Sequence, residues 1–192
     1  MHRITTLFAL ALASLPATAF AGGSITGKVT ATPPKFLAET VVYLKDAPPA
    51  KEHKTETMDQ KNMEFLPHVL AISVGDTVDF LNHDKVAHNV FTPDQGGYNL
   101  GTFKTDEKAS HTFDKPGAYS QLCSIHPEML GYVYVSPSPY HAVVDAKGAF
   151  KIENVPPGTY KISVWNPKLK AADQSVTVTE GKPATVDFAI KR

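Results

Sequence analysis

The chain is poor in the residues that mark several large protein classes. Of its 192 residues, one is cysteine and one is tryptophan. A lone thiol cannot close an internal disulfide, so no disulfide framework holds this chain. No window carries a sustained 3.6-residue apolar repeat, which argues against helical bundles and coiled coils. Beyond the N-terminus, no apolar run approaches the ~20 residues of a membrane-spanning helix. An excess of either charge is also missing: 19 Lys and Arg balance 19 Asp and Glu. That balance offers no basic field for nucleic acid and no polybasic patch for a membrane surface.

The N-terminus is different. MHRITTLFALALASLPATAFAGG has a short basic start, an apolar run from Leu7 to Leu15 and an Ala-Phe-Ala motif ending at Ala21. This pattern predicts a secretory signal peptide over residues 1–21. The expectation is a soluble periplasmic protein with no membrane anchor. In an oxidising compartment an exposed free thiol is a liability, so Cys123 should be buried, paired to another chain or bound to a metal.

The rest of the chain reads as all-β. Leu70, Ile72 and Val74 alternate with polar or small residues, as do Val78 and Phe80, and the same holds for Tyr160-Lys-Ile-Ser-Val164 and Val186-Asp-Phe-Ala-Ile190. Period two marks half-buried strands, and Gly75-Asp76, Pro116-Gly117, Lys147-Gly148 and Pro157-Gly158 mark turns between them. Proline-rich stretches at 46–53 and 136–139 are predicted seams. They divide the chain into a central domain, 51–136, and two flanks, 22–50 and 140–192. Each flank is short for a domain. The expected architecture is a Greek-key β-sandwich inserted into, or joined to, a second smaller β-sandwich. The rival is a linear order with the N-terminal strands in the middle domain.

The chemistry concentrates in CSIHPEM, residues 123–129. Alternation puts Tyr119, Gln121 and Cys123 on one face, and Met129, Gly131, Val133 and Val135 on one face after the loop. His126 then sits at the loop tip. VAHNVF supplies His88 within a strand pattern. A thiolate and two imidazoles with a weak thioether form the donor set of a blue-copper site. A structural zinc site would show more thiolates or paired spacings. The candidate ligands are therefore His88, Cys123, His126 and Met129, for one copper ion cycling between Cu(I) and Cu(II).

Residues 63–135 resemble the plastocyanin, pseudoazurin and amicyanin group of cupredoxins. The likeness rests on MEFLPHVLAISVGDTVDFLNHDKVAHNV and FDKPGAYSQLCSIHPEM. It implies the same four ligands, and it implies that Asn89 ties the two ligand loops together and supports the thiolate. It places Met63 at a core position of the first strand. The C-x-x-H-x-x-M spacing is similar to that of amicyanin. HAVVDAKGAFKIENVPPGTYKISVWN resembles the second half of a carboxypeptidase regulatory-like (transthyretin-like) domain, whose first half would be Gly27-Lys28-Val29 and Val41–Leu44. The whole layout resembles periplasmic proteins labelled methylamine-utilization-like, although those often carry Asp-Trp where this loop has Pro127-Glu128.

The resemblance implies a non-enzymatic carrier of single electrons between redox partners such as a c-type cytochrome or a periplasmic dehydrogenase. A competing reading is copper trafficking, resistance or sensing. Such proteins use Met- or His-rich tracts and open sites, and only three Met follow the signal peptide. A structural or adhesion protein is a third reading, which the donor set opposes. His53, Met58, Met63 and His68 recur every five residues, a period that cannot align them on one strand face. His83, His111 and His141 lie in polar or turn surroundings and read as solvated, and Trp165 reads as packing against a sandwich or a seam.

Overall fold

The computed structural model describes residues 22–192. The expected signal peptide lies outside the described residues. The N-terminal flank forms β1 (Gly23–Thr32) and β2 (Val41–Leu44), joined by a 3-10 turn over Pro34–Glu39. The central segment forms β3 (Thr55–Lys61), β4 (Glu64–Leu66), β5 (Val69–Ser73), β6 (Thr77–Asn82), β7 (His88–Thr92), β8 (Tyr98–Phe103), β9 (Lys108–Thr112), β10 (Gly117–Leu122) and β11 (Leu130–Ser136). The C-terminal flank forms β12 (His141–Val143), β13 (Ala149–Val155), β14 (Gly158–Trp165), β15 (Gln174–Val178), β16 (Pro183–Thr185) and β17 (Phe188–Lys191). No helix among the described residues is long and apolar enough to cross a membrane.

The central strands make two sheets, in the orders β5-β11-β10-β7-β8 and β4-β3-β6-β9. Alternation dictates which side chains meet between them. In β6, Val78, Phe80 and Asn82 are buried while Thr77, Asp79 and Leu81 are only partly so. Phe65, Phe80, Phe113, Val90 and Val133 fill the layer between the sheets, with Met58, Cys123 and Met129 in the same cluster. Gly131 lets the sheets approach, because a Cβ there would come within 2.7 Å of Phe65 Cβ.

The flanks hold a second core. β1 pairs with β13, β16 and β17, and β2 pairs with β12 and β14. Ile25, Leu44, Ile152, Ile162 and Ile190 pack between these two sheets, each at most 2 % exposed. The fold is thus almost wholly β, with a cupredoxin-like sandwich beside a smaller β-domain.

Met63 departs from its expected core position. Asn62 and Met63 both take positive φ, 54° and 60°, in the tight turn between β3 and β4. Such mirror-image turns suit the twist of a hairpin. They turn Met63 outward, 44 % exposed, and Phe65 takes the core position instead. Met58 is fully buried, whereas His53 and His68 are exposed, so the five-residue recurrence gathers no common face.

An aromatic seam joins the two cores. Trp165 stacks on Tyr134 at 5.2 Å and meets Tyr132 edge-on at 5.4 Å, while Tyr43 tilts against Tyr134 at 5.0 Å. Pairs of this geometry contribute about 0.5–1.5 kcal/mol each beyond their burial. Val41 and Val69 complete the cluster. The Ser138 hydroxyl donates to the Leu44 carbonyl at 3.1 Å, tying the end of β11 to β2.

His141, which reads as solvated in the sequence, is half-buried at this seam with Nε2 3.5 Å from Ser73 Oγ. It lines a cavity of about 240 Å³ with Glu52, Lys54, Glu56 and Asp76. Burial pushes its pKa down to about 4, with Asp76 opposing that shift and Lys54 adding to it. The ring is therefore neutral when folded. The unfolded chain binds the extra proton between the ordinary value of 6.5 and about 4. Stability should accordingly fall as pH drops through that window, by on the order of 2–3 kcal/mol. Urea unfolding of the metal-free protein from pH 7 to 4.5 checks this, and His141→Gln should flatten that part of the profile. An equal slope in both proteins would show that His141 is not the titrating group.

Candidate metal centre

Two loops at one end of the central sandwich build the centre. The first runs from β6 into β7. Asn82 is fully buried at the end of β6, and its amide donates to the carbonyls of Val86 and Phe103, each at 3.0 Å. Its Oδ1 accepts the Asp84 N–H at 2.9 Å. This local network bends the chain sharply, so that β7 begins at His88 with the ring inward and no exposed surface. Val86 lies before the strand and is 45 % exposed, so it does not share the inward face of His88 and Val90.

The second loop runs from β10 to β11. Tyr119, Gln121 and Cys123 are all buried, as alternation requires, and Cys123 is 3 % exposed. The Met129 N–H donates to the His126 carbonyl at 3.0 Å, which closes a tight turn. Met129 is 1 % exposed in the same core as Cys123, whereas His126 is half-buried between the exposed Ile125 and Pro127.

The loops bring three donors together. The nearest ligand atoms of His88, Cys123 and His126 all lie within 4.8 Å of one another, and no other such group of His, Cys, Asp or Glu occurs among the described residues. His88 Nδ1 is 3.0 Å from His126 Nδ1, and His126 Nδ1 is 3.9 Å from Cys123 Sγ. Asn89 braces the pair of loops. Its backbone N–H points at Cys123 Sγ from 3.4 Å, and its Oδ1 accepts the Ser124 N–H at 3.3 Å. Its Nδ2 donates to Asn99 Oδ1 and the Gly101 carbonyl, each at 2.8 Å.

Sequence reasoning missed Asp84. Its Oδ2 lies 3.0 Å from His88 Nε2 and accepts the Met63 N–H at 2.7 Å. The Met63 N–H, followed by the His88 ring, holds the Asp84 carboxyl below the usual carboxylate range. An ionised carboxylate accepts only, so Nε2 carries the hydrogen and Nδ1 turns its lone pair towards the centre. The four-residue spacing from Asp84 to His88 was the available signal, but it becomes a contact only through the Asn82 turn.

The donor chemistry fits a single copper ion. The soft sulfur suits Cu(I), and imidazole nitrogens suit both oxidation states. Two nitrogens facing each other at 3.0 Å would repel as bare lone pairs, so the gap calls for a cation or a proton. His83 pairs with Asp59 at 3.0 Å, away from the centre. His111 is half-buried against the Tyr98 ring at 4.0 Å rather than solvated.

Comparison with known proteins agrees with this chemistry. Residues 52–136 match the model of the copper binding proteins of the plastocyanin/azurin family, and residues 132–191 match that of the carboxypeptidase regulatory-like domain. No curated protein matches the chain. Among solved structures, a purple cupredoxin from Nitrosopumilus maritimus is 31 % identical, over 42 % of this chain and 99 % of its own, with a TM-score of 0.40. An oxidised mutant of amicyanin is 28 % identical, over 42 % of this chain and 81 % of its own, also with a TM-score of 0.40. A copper-containing nitrite reductase from Thermus scotoductus SA-01 is 34 % identical, over 42 % of this chain but 22 % of its own, with a TM-score of 0.40. The chain thus holds a cupredoxin-like copper-binding domain over residues 52–136 and a separate carboxypeptidase regulatory-like domain.

Proposed function

We propose that this chain is a periplasmic type 1 copper protein that passes single electrons between redox proteins such as a c-type cytochrome and a dehydrogenase. The observation that carries the reading is the convergence of Cys123 Sγ with the Nδ1 atoms of His88 and His126, inside the segment that matches the plastocyanin/azurin family. Bound copper supplies a one-electron couple between Cu(I) and Cu(II). The ligand set in this reading is His88, Cys123, His126 and the axial Met129. Burial of Cys123, His88 and Met129 supports a closed carrier site over an open site that exchanges metal.

The residues divide the work. Asn89 and Asp84 hold the donors in place, so little reorganises when the charge changes. His126 brings its ring towards solvent and is the port for electrons, with Ile125 and Pro127 exposed beside it. The architecture in this reading is a Greek-key copper domain, residues 51–136, inserted between the two halves of a regulatory-like sandwich. The pairing of β1 and β2 with strands of the C-terminal flank supports it. Residues 1–21 act as the export signal.

Three variants test the site. Cys123→Ser should abolish the intense visible charge-transfer band and the reversible couple of the copper-loaded protein, because only a thiolate makes that covalent bond. A Ser variant that kept both would end the type 1 reading. Met129→Leu should keep the band and raise the reduction potential, since loss of a weak donor disfavours Cu(II). A lowered potential would exclude Met129 as the axial donor. Asp84→Ala should weaken copper binding by roughly 10- to 100-fold, the usual cost of removing the partner of a ligating His. Competition with a chelator reads this out, and unchanged affinity would reduce Asp84 to a turn residue.

A further inference from the structure

One short strand brings an imidazole from the flank against the copper-binding domain. β12, three residues from His141 to Val143, is an edge strand of its sheet and pairs with β2 alone. His141 Nε2 lies 3.5 Å from Ser73 Oγ, at the end of β5. Beside this contact lies the cavity of about 240 Å³, with Ser73 and Asp76 on one side and Pro139 and His141 on the other. The cavity lies at the pole opposite the metal centre. Asp76 directly precedes β6, whereas Asn82, which holds the loop of His88, ends it six residues and roughly 20 Å further on.

A proton on His141 has no good partner in this setting. Asp76 favours it, but both carboxylate oxygens are engaged: Oδ1 accepts the Lys54 amide and Oδ2 the Ser73 amide, each at 2.8 Å. The exposed His53 ring sits 4.0 Å from Asp76 Oδ1, so a proton on that ring offsets the same carboxylate. Gly75 permits this approach, since a Cβ there would come within 2.3 Å of the His53 ring. The Lys54 ammonium opposes a charge on His141. Glu52 and Glu56 line the cavity, yet no hydrogen bond among the described residues joins either to the ring. From β2, Tyr43 stands opposite His141 in register and brings an uncharged phenol. From β13, Lys151 and Glu153 pair with each other. Burial outweighs Asp76 and holds the docked ring neutral down to about pH 4.

We propose that the contact of His141 with Ser73 and the cavity beside it form an acid-released latch between the flank and the copper-binding domain. The docked ring is neutral. A ring freed into water takes a proton below its ordinary value of 6.5 and must lose it to dock again. The open form therefore binds more protons between 6.5 and about 4, and opening gains as pH falls through that window. At pH 5 the docking equilibrium is weakened on the order of 30-fold relative to neutral pH. Opening parts the aromatic seam, where Trp165 of the flank meets Tyr132 and Tyr134 of β11. Both cores stay folded, which separates the latch from the loss of overall stability described above, and the metal ligands take no part.

The chain's one tryptophan lies in this seam, so its accessibility reports docking directly. Acrylamide quenching of Trp165 emission, measured on the full copper-loaded, oxidised chain, should strengthen severalfold from pH 7 to pH 5. The far-UV circular dichroism and the visible copper band, recorded on the same samples, should stay constant. His141→Gln keeps a neutral side chain at all these pH values and should leave quenching flat. Lys54→Gln changes only an exposed side chain and serves if the first variant does not fold. It removes the cation that opposes a proton on the docked ring, so the rise in quenching should shrink. Constant quenching in the unmodified chain would overturn the latch. An equal rise in His141→Gln, or an undiminished one in Lys54→Gln, would overturn the role of His141. A rise that came only with loss of the dichroism would be global unfolding and would overturn the local release.

Discussion

The centre depends on one residue that belongs to both of its loops. Asn89 follows His88 on β7, and its side chain reaches across to the Ser124 amide, directly after Cys123. Its backbone N–H points at the sulfur, and its amide nitrogen is anchored on β8. Every polar end of this buried side chain is therefore occupied, so its position is over-determined. Without that brace, His88 and Cys123 would sit on separate strands whose only pairing here is Leu122 with Phe91. The 3.0 Å approach of the two imidazoles follows from this constraint and from Asp84 behind the His88 ring.

The same logic links the centre to the second domain. Met129 lies immediately before β11, and β11 pairs along most of its length with β10 on one side and β5 on the other. Its outward side chains, Tyr132 and Tyr134, form half of the aromatic seam. One strand thus follows Met129, buried in the same core as Cys123, at one end and carries the rings that meet the flank further along. The stacked rings, with Val41 and Val69 in the same cluster, pack the flank against the sheet whose strands lead into the loop of Cys123 and Met129.

Both domains use buried polar groups to hold loops and carry paired charges on the surface. Polar groups of the central domain hold its loops: buried Asn82 the turn before His88, buried Asp76 the Ser73 and Lys54 amides, and half-buried Asp94 the Ser120 amide. In the flank, Asn166 donates to the Phe36 carbonyl and Thr40 hydroxyl and accepts the Lys168 and Leu169 amides, while exposed pairs such as Lys45 with Asp173 contribute little.

What the sequence determined by itself was local. Cys123, His126 and Met129 fall within seven residues, and strand alternation turns Cys123 and Met129 inward whatever the remainder of the chain does. His88 beside Asn89 was readable because the donor types themselves restrict the chemistry. The tertiary structure decided the rest. A positive-φ turn sent Met63 outward, since the hairpin's twist outweighed the apolar pattern. His141 became half-buried where strands of both domains meet, which strand alternation alone does not show. Asp84 became a partner of His88 only once Asn82 folded the intervening turn.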